Sequence, residues 1–386
     1  MKKIIKYDLL TIIFYILSKI IYKHKEIMRI KISKICVIKY CCIGDVLITT
    51  PLISELREHF PFATIDYCVG DWSESVLRNN PNLNNIYVVE NTPRKLLRKE
   101  KYDLVIILDI GFKAIWNGFL LKPKVLAGID YKSRGFLLDY KFTRTLHDCV
   151  HERDVYLGLL ESMGFHVKTK NMELFLTEKE ISWGAELFIQ NKWPAKKTIA
   201  IFAGGGNNPG TIMSVKQWGT SKYATLVQQL VKQGYSILLL GGKTDIDINK
   251  QLLTLISEIE IKNDVKDLSG MYSLGEIASI LKNCRLLITN DSGPLHIAAA
   301  VGTPTISIWG PTDPNRLKPF GEEHVGIISE KICSPYFSTG HSENCRPCYR
   351  HIIGDFNSDC QTHECMSTIN VNVVLNAVER LISDYY

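Results

Sequence analysis

The chain has 386 residues, 46% hydrophobic and 22% charged, with a formal net charge of +6. That length suggests two domains rather than one, with the ordinary composition of a globular protein that has a real core. Nine Lys and Arg lie in residues 1–34 against Asp8 and Glu26, a local excess of +7. The positive character is therefore N-terminal, which argues against a general nucleic-acid surface.

Residues 4–22 are strongly apolar, but the longest uncharged run, 9–18, is far short of the ~20 residues a membrane span needs. No small-residue cleavage site follows. Asp8, Thr11, Tyr15, Ser18, Lys19 and Tyr22 make one polar stripe at helical spacing. Residues 1–33 are expected to form a basic amphipathic helix lying in a membrane interface, or one packed on the protein's own surface.

An apolar strand at 35–38 opens the first domain, placed at 34–176. Gly44 then allows a close turn, and Asp45 sits at the start of a helix running to about residue 59. Further strands are expected at 64–69, 86–89 and 104–108. Strands alternating with helices imply a parallel sheet covered on both faces. Ligands of such sheets bind beyond the carboxyl ends of the strands, the edge that carries Asp45 and Asp109. Residues 128–153, rich in charge and aromatics, read as a ligand-contacting loop or a solvated one. A helix at 154–163 closes the domain. Thr177 and Glu180 make a capping box, so 177–197 is expected to be a linker helix.

The second domain, 198–330, repeats the alternation. Its first strand, 198–202, runs into Gly204-Gly205-Gly206, and a loop with Lys216-Gln217-Trp218 follows. A helix ends at Gly234, and a strand at 236–240 leads into Gly241-Gly242-Lys243-Thr244-Asp245. Ser273 and Glu276 open another helix with a capping box. Then come a strand at 286–288, the turn Asn290-Asp291-Ser292-Gly293, and a short helix with Pro294 at its first position. Gly302 and Pro304 end that helix. Its N-terminus offers unpaired N–H groups and a positive dipole end, with Ser292 and His296 as side-chain donors, and so can hold an anion. It reads equally as an ordinary strand-to-helix turn capped by Asp291 or Ser292. A strand at 305–309 leads into Gly310-Pro311-Thr312-Asp313-Pro314. Residues 331–386 form a Cys-rich tail and a helix at 371–382.

Two such domains facing across a cleft place anion-binding parts on one side and a carboxylate, Asp45, on the other. A diphosphate on one half and a general base on the other suit a transfer reaction. A dinucleotide-dependent oxidoreductase is disfavoured, because no G-x-G-x-x-G lies between a strand and a helix, and no Walker A motif is present.

Gly44-Asp45 with Pro51, His151-Glu152, Lys216-x-Trp218, Gly241-Gly242, Leu268-Ser269-Gly270 with Leu274, Asp291-Ser292-Gly293-Pro294-Leu295-His296 and Gly310-Pro311-Thr312-Asp313-Pro314 occur in that order. On these motifs the chain resembles the ADP-heptose:lipopolysaccharide heptosyltransferase family, glycosyltransferase family 9. The resemblance covers about residues 34–325, and its last two motifs are the specific ones. It implies an α/β GT-B fold, two Rossmann-like doubly wound domains facing across a cleft. It implies an inverting transfer of heptose or a related sugar from a nucleotide-diphosphate donor to a lipopolysaccharide-core or other cell-surface glycan, with no obligatory metal or other cofactor. Asp45 would be the general base. Ser292, the backbone N–H groups offered by the segment Gly293-Pro294-Leu295, and Lys216 would stabilise the leaving diphosphate. Asp291 would lie at the donor sugar and His296 near the phosphates. Gly204, Gly205, Thr244 and Asp245 would serve the nucleotide, with Asp245 or Thr244 at the ribose. The family often has Arg at the position of Lys39, and Ser or Thr at those of Cys41 and Cys42, so the sugar or acceptor can differ. The rival readings are a non-catalytic nucleotide-sugar-binding module at the membrane and a GT-B nucleotide-sugar epimerase.

Eleven cysteines, an odd count scattered through a large chain, do not read as a disulfide framework but as reduced thiols of a cytoplasmic protein. The expected location is the inner face of the cytoplasmic membrane. Cys345-x-x-Cys348 with Cys360 and Cys365 resembles zinc-ligand spacing, though its second pair is loosely spaced. Unligated thiols or a disulfide are the other readings of that cluster.

Overall fold

Apolar runs with little alternation bury both faces of a strand, and such runs form the centre of each sheet here. The structure, a computed structural model, describes residues 27–131, 133–144, 150–168, 170–205, 207–208, 211–212, 214–256, 259–329 and 364–385. The basic helix expected before residue 27 and three cysteines of the C-terminal cluster, Cys345, Cys348 and Cys360, lie outside these residues. The chain divides into two units, Met1–Asn171 and Met172–Tyr386.

In the first unit six parallel strands, β1 (Lys34–Ile38), β2 (Thr64–Val69), β3 (Asn85–Val88), β4 (Leu104–Ile107), β5 (Val125–Tyr131) and β6 (Tyr140–Arg144), pair in the order β3-β2-β1-β4-β5-β6. The order reverses between β1 and β4, and there the connections leave in opposite directions and open a crevice. The segment expected to be a loop contains β6 and the end of β5. Its charges belong to strand ends and turns: Asp130 accepts the Gly135 N–H (2.9 Å) and pairs with Lys141 (2.9 Å).

The helix expected from Asp45 onward is two helices, α1 (Ile43–Ile48) and α2 (Thr50–His59). Pro51 supplies no N–H at the joint. The hydroxyls of Thr49 and Thr50 donate instead to the carbonyls of Val46 and Leu47, both at 2.7 Å. A third helix, α3 (Glu152–Ser162), packs on β5, β6 and α2.

The second unit repeats the topology. Its sheet runs β11-β10-β7-β12-β13-β14, from β7 (Thr198–Phe202), β10 (Ser236–Leu239), β11 (Val265–Asp267), β12 (Leu286–Asn290), β13 (Thr305–Trp309) and β14 (His324–Ile328). A two-stranded ribbon, β8 (Asn207–Asn208) and β9 (Thr211–Ile212), follows β7. Helix α4 (Glu178–Gln190) carries the Thr177 capping box and packs on α6 (Leu274–Asn283) within this unit. Between them in the chain lies α5 (Thr220–Lys232), and the short α7 (Gly293–Ala300) follows β12. Helix α8 (Val371–Tyr385) buries Val374, Val378 and Leu381 in the same core.

The contact between α4 and α6 is close because Gly184 has no side chain. A Cβ there would overlap the Ser279 hydroxyl, which donates to the Glu180 carbonyl (2.6 Å). Gly184→Ala is therefore expected to cost about 1–3 kcal/mol despite its better helix propensity. A lowered melting temperature, partly recovered by adding Ser279→Ala, is the measurement.

Candidate active site

In the first unit the loops after β1 and β4 flank the point where the strand order reverses. Each carries an acid, Asp45 in the first turn of α1 and Asp109 just beyond β4. Lys39 bridges them, its Nζ 3.2 Å from Asp109 Oδ1 and 3.9 Å from Asp45 Oδ2. Asp109 also accepts the Tyr40 N–H (3.0 Å). Burial opposes the charge on Lys39, but Tyr156, Asp45, Asp109 and Glu152 outweigh it and raise its pKa well above the ordinary lysine value. Lys39 is thus a fixed ammonium. Its side chain is only 12% exposed, whereas that of Asp45 is 41% exposed and accessible to a substrate.

The His151-Glu152 motif has a local explanation. His151 is the N-cap of α3, where its Nδ1 accepts the Arg153 N–H (3.1 Å). Glu152 is gripped at both oxygens by Arg144 Nη1, at 2.5 and 2.6 Å. Burial raises the Glu152 pKa, with Asp45 adding to the rise and Arg144 opposing it.

In the second unit the equivalent loops follow β7 and β12. Asp291 is buried, and its Oδ2 accepts from Lys216 Nζ (2.7 Å) and Thr312 Oγ1 (2.8 Å). Burial works against its charge, but Lys216, Thr312 and His296 prevail and lower its pKa. His296 is buried in α7. Burial and Lys216 push its pKa down to about 4 against the opposing Asp291, so the ring is neutral at pH 7. Its Nδ1 makes no hydrogen bond among the described residues.

Ser292 is the N-cap of α7, but its side chain makes no capping bond. Its hydroxyl lies 3.1 Å from Thr289 Oγ1 and donates to the Asn290 carbonyl (3.3 Å). Pro294 has no N–H, and the Leu295 N–H is donated to the Ser292 carbonyl (3.1 Å). Of the three backbone positions expected to face an anion, Gly293 is the one with an N–H free of the helix ladder.

Asp245, expected at a ribose, is buried and accepts the N–H groups of Gly242 (2.9 Å) and Gly205 (3.4 Å). Thr244 beside it is exposed. The Gly204 and Gly205 loop is thereby tied to the loop after β10.

Sequence reasoning missed the hub of this site, Asn290. Its amide nitrogen donates to the carbonyls of Ala203 (3.1 Å) and Gly204 (2.8 Å). Its oxygen accepts the Trp218 N–H (3.2 Å) and the Tyr223 hydroxyl (3.0 Å). The available signal was an amide ending an apolar strand, because a buried amide must find partners. Cys365, the one described member of the C-terminal cysteine cluster, is buried against Gly310. Among the described residues no group of three His, Cys, Asp or Glu is placed to hold a metal.

Two parallel sheets of one strand order, each with polar loops at its reversal point, make two Rossmann-like halves, the architecture of the GT-B fold. The family model for glycosyltransferase family 9 (heptosyltransferase) matches residues 92–346, well over half the chain, and the chain belongs to that family. Lipopolysaccharide heptosyltransferase 3 of Escherichia coli is 26% identical over 294 residues, 70% of this chain and 81% of its own. A family 9 glycosyl transferase from Veillonella parvula DSM 2008 has a similar structure, with a TM-score of 0.74 at 21% identity, over 92% of this chain and 99% of its own. ADP-heptose lps heptosyltransferase II of E. coli gives 0.71 at 22% identity, over 91% and 99%.

The buried neutral histidines set a pH dependence. His296 and His324 both have folded pKa values of about 4, below the usual 6.5. The unfolded chain binds their protons first as pH falls, so stability is full above pH 6.5 and declines toward pH 4. Each contributes a slope approaching about 1.4 kcal/mol per pH unit within that window. Urea unfolding of His296→Phe across pH 4–7 is expected to show a shallower decline than the unsubstituted protein.

Proposed function

We propose that the protein transfers a heptose or related sugar, with inversion, from a nucleoside-diphosphate donor to a lipopolysaccharide-core or similar surface glycan. The names of the relatives, which include an ADP-heptose enzyme, support adenosine diphosphate as the leaving group. The observation that carries the reading is the second unit's buried Lys216–Asp291–Thr312 cluster, beside a neutral His296 with an unused ring nitrogen.

In this reading the second unit serves the donor and the first serves the acceptor. Asp45 takes the proton from the acceptor hydroxyl as that oxygen attacks the anomeric carbon. The bond from that carbon to the diphosphate breaks, and the diphosphate leaves with the electron pair. Lys216, the Gly293 N–H, the Ser292 hydroxyl and His296 meet the developing charge. Asp291 fixes the Lys216 ammonium and stands at the donor sugar, and the exposed Thr244 is the ribose contact. Lys39 holds the Asp45 and Asp109 loops together.

The acceptor is a glycan built on lipid, so the enzyme works at the inner face of the cytoplasmic membrane, with residues 1–33 as its basic contact. Among the described residues no helix is long and apolar enough to cross a membrane.

Asp45→Asn is expected to lower transfer from ADP-heptose by about 10²–10⁴-fold while leaving ADP affinity unchanged. Loss of ADP binding with residual turnover would remove Asp45 from this role. Since the reading assigns the leaving-group charge to side chains and backbone, transfer should persist in excess EDTA; its loss, with recovery on adding a metal, would overturn that assignment.

A further inference from the structure

Cys41 and Cys42 stand in the turn between β1 and α1, and neither has a part in the chemistry above. Their Sγ atoms are 2.6 Å apart. Both are partly exposed, whereas the other described cysteines, Cys36, Cys68, Cys284 and Cys365, are buried. Cys42 is the N-cap of α1 and has φ +74°, a backbone region unfavourable for a residue with a Cβ. Its side chain makes no capping hydrogen bond. A serine or asparagine at an N-cap would satisfy a backbone N–H there and stabilise the helix start by about 1 kcal/mol. The thiol supplies no such bond.

The surroundings suit thiol oxidation. The hydrogen bond between the two sulfurs holds the Cys41 thiol below its ordinary range, against burial and Asp45, with Lys39 assisting. The same bond, with burial, pushes Cys42 up. Partly exposed and in contact, the two sulfurs are placed for one to act as nucleophile and the other to resolve its oxidised form.

We propose that Cys41 and Cys42 are a reversible oxidation site, closed to a vicinal disulfide by hydroperoxides, that suppresses the catalytic turn of the first unit. The Cys41 thiolate attacks a peroxide oxygen. The O–O bond breaks, a sulfenic acid forms, and the departing hydroxide or alkoxide takes up a proton. The Cys42 sulfur then attacks the sulfenic sulfur. Its proton leaves with the hydroxyl group as water, and the S–S bond closes. Two thiols and one hydrogen peroxide thus give one disulfide and two waters. A dithiol reverses the closure by exchange.

Adjacent residues hold their Cα atoms about 3.8 Å apart, below the usual disulfide range of about 4.4–6.8 Å, so the bridge is strained and easily reduced. A readily reduced bridge suits a reducing compartment, where disulfides that form are transient and sensing. Closure constrains the peptide between the two residues. The Cys42 carbonyl accepts the Val46 N–H (2.9 Å), so the first turn of α1, which carries Asp45, is anchored on this residue. The effect on transfer rests on the reading of Asp45 as the base; formation of the disulfide does not.

The test treats the full chain with hydrogen peroxide, blocks remaining thiols with iodoacetamide, and maps peptides. The expected result is that the peptide holding Cys41 and Cys42 is two hydrogens lighter and unalkylated, and that dithiothreitol reverses this. Transfer should fall and recover in parallel, with ADP affinity unchanged. Cys42→Ser should keep transfer and escape the reversible loss. A peptide alkylated at both cysteines after treatment would overturn the site. A disulfide that forms without slowing transfer would overturn the switch and leave the site standing. Reversible inhibition that persists in Cys42→Ser would assign the effect to another cysteine and equally overturn the switch.

Discussion

The buried carboxylate of Asp291 is the constraint on which the second unit's loops depend. A carboxylate taken out of water costs several kcal/mol unless paired and hydrogen-bonded. Lys216, from the loop beyond the ribbon, and Thr312, from the loop after β13, both reach the same oxygen. One charge therefore fixes three loops. Asn290, next in the chain, extends the tie to the loop after β7 and to α5 through four further hydrogen bonds. With these groups partnered within the protein, the site's polar geometry is set without a ligand. Among the described residues the His296 Nδ1 is the group of this cluster left without a hydrogen bond.

The same strand order carries different residues at its reversal point in the two units. In the first, the loops at the reversal point both end in carboxylates, and Lys39 is the cation that lets Asp45 and Asp109 share one edge. In the second, the corresponding loops carry glycines on one side and the Lys216–Asp291 pair on the other. The topology supplies the opening, and the residues just beyond the strand ends set its charge and polarity.

Much of this was legible in the sequence because the signals were local. Both capping boxes, Thr177 with Glu180 and Ser273 with Glu276, are formed. The strand, turn and short helix around Asp291 lie as the apolar run, Pro294 and Gly302 indicate, with Gly302 at φ +82°. The reading faltered where long-range packing decides. β6 carries alternating charged and aromatic side chains at the margin of its sheet, and neither periodicity nor composition distinguishes that from a loop. The joint at Thr49 depends on two hydroxyls replacing the helix ladder, with Thr49 also 2.9 Å from the Tyr67 hydroxyl on β2. An amide ending an apolar strand signals that Asn290 needs partners but not which ones, because the four come from three different segments.

Asp245 shows how a motif can have a physical cause other than the obvious one. Consecutive glycines after a strand suggest a backbone making room for phosphate. Here Asp245 lies against both glycine loops. A Cβ at Gly204 would overlap its Oδ1, and one at Gly241 would stand 2.8 Å from its Cβ. Neither position admits a side chain while the carboxylate accepts the Gly205 and Gly242 N–H groups. Burial raises the pKa of this acid, and those two backbone bonds pull it back. The glycines at 204 and 241 are thus explained by the approach of an internal carboxylate, without any ligand. What that approach provides is a fixed relation between the loops after β7 and β10, beside which Thr244 stays exposed.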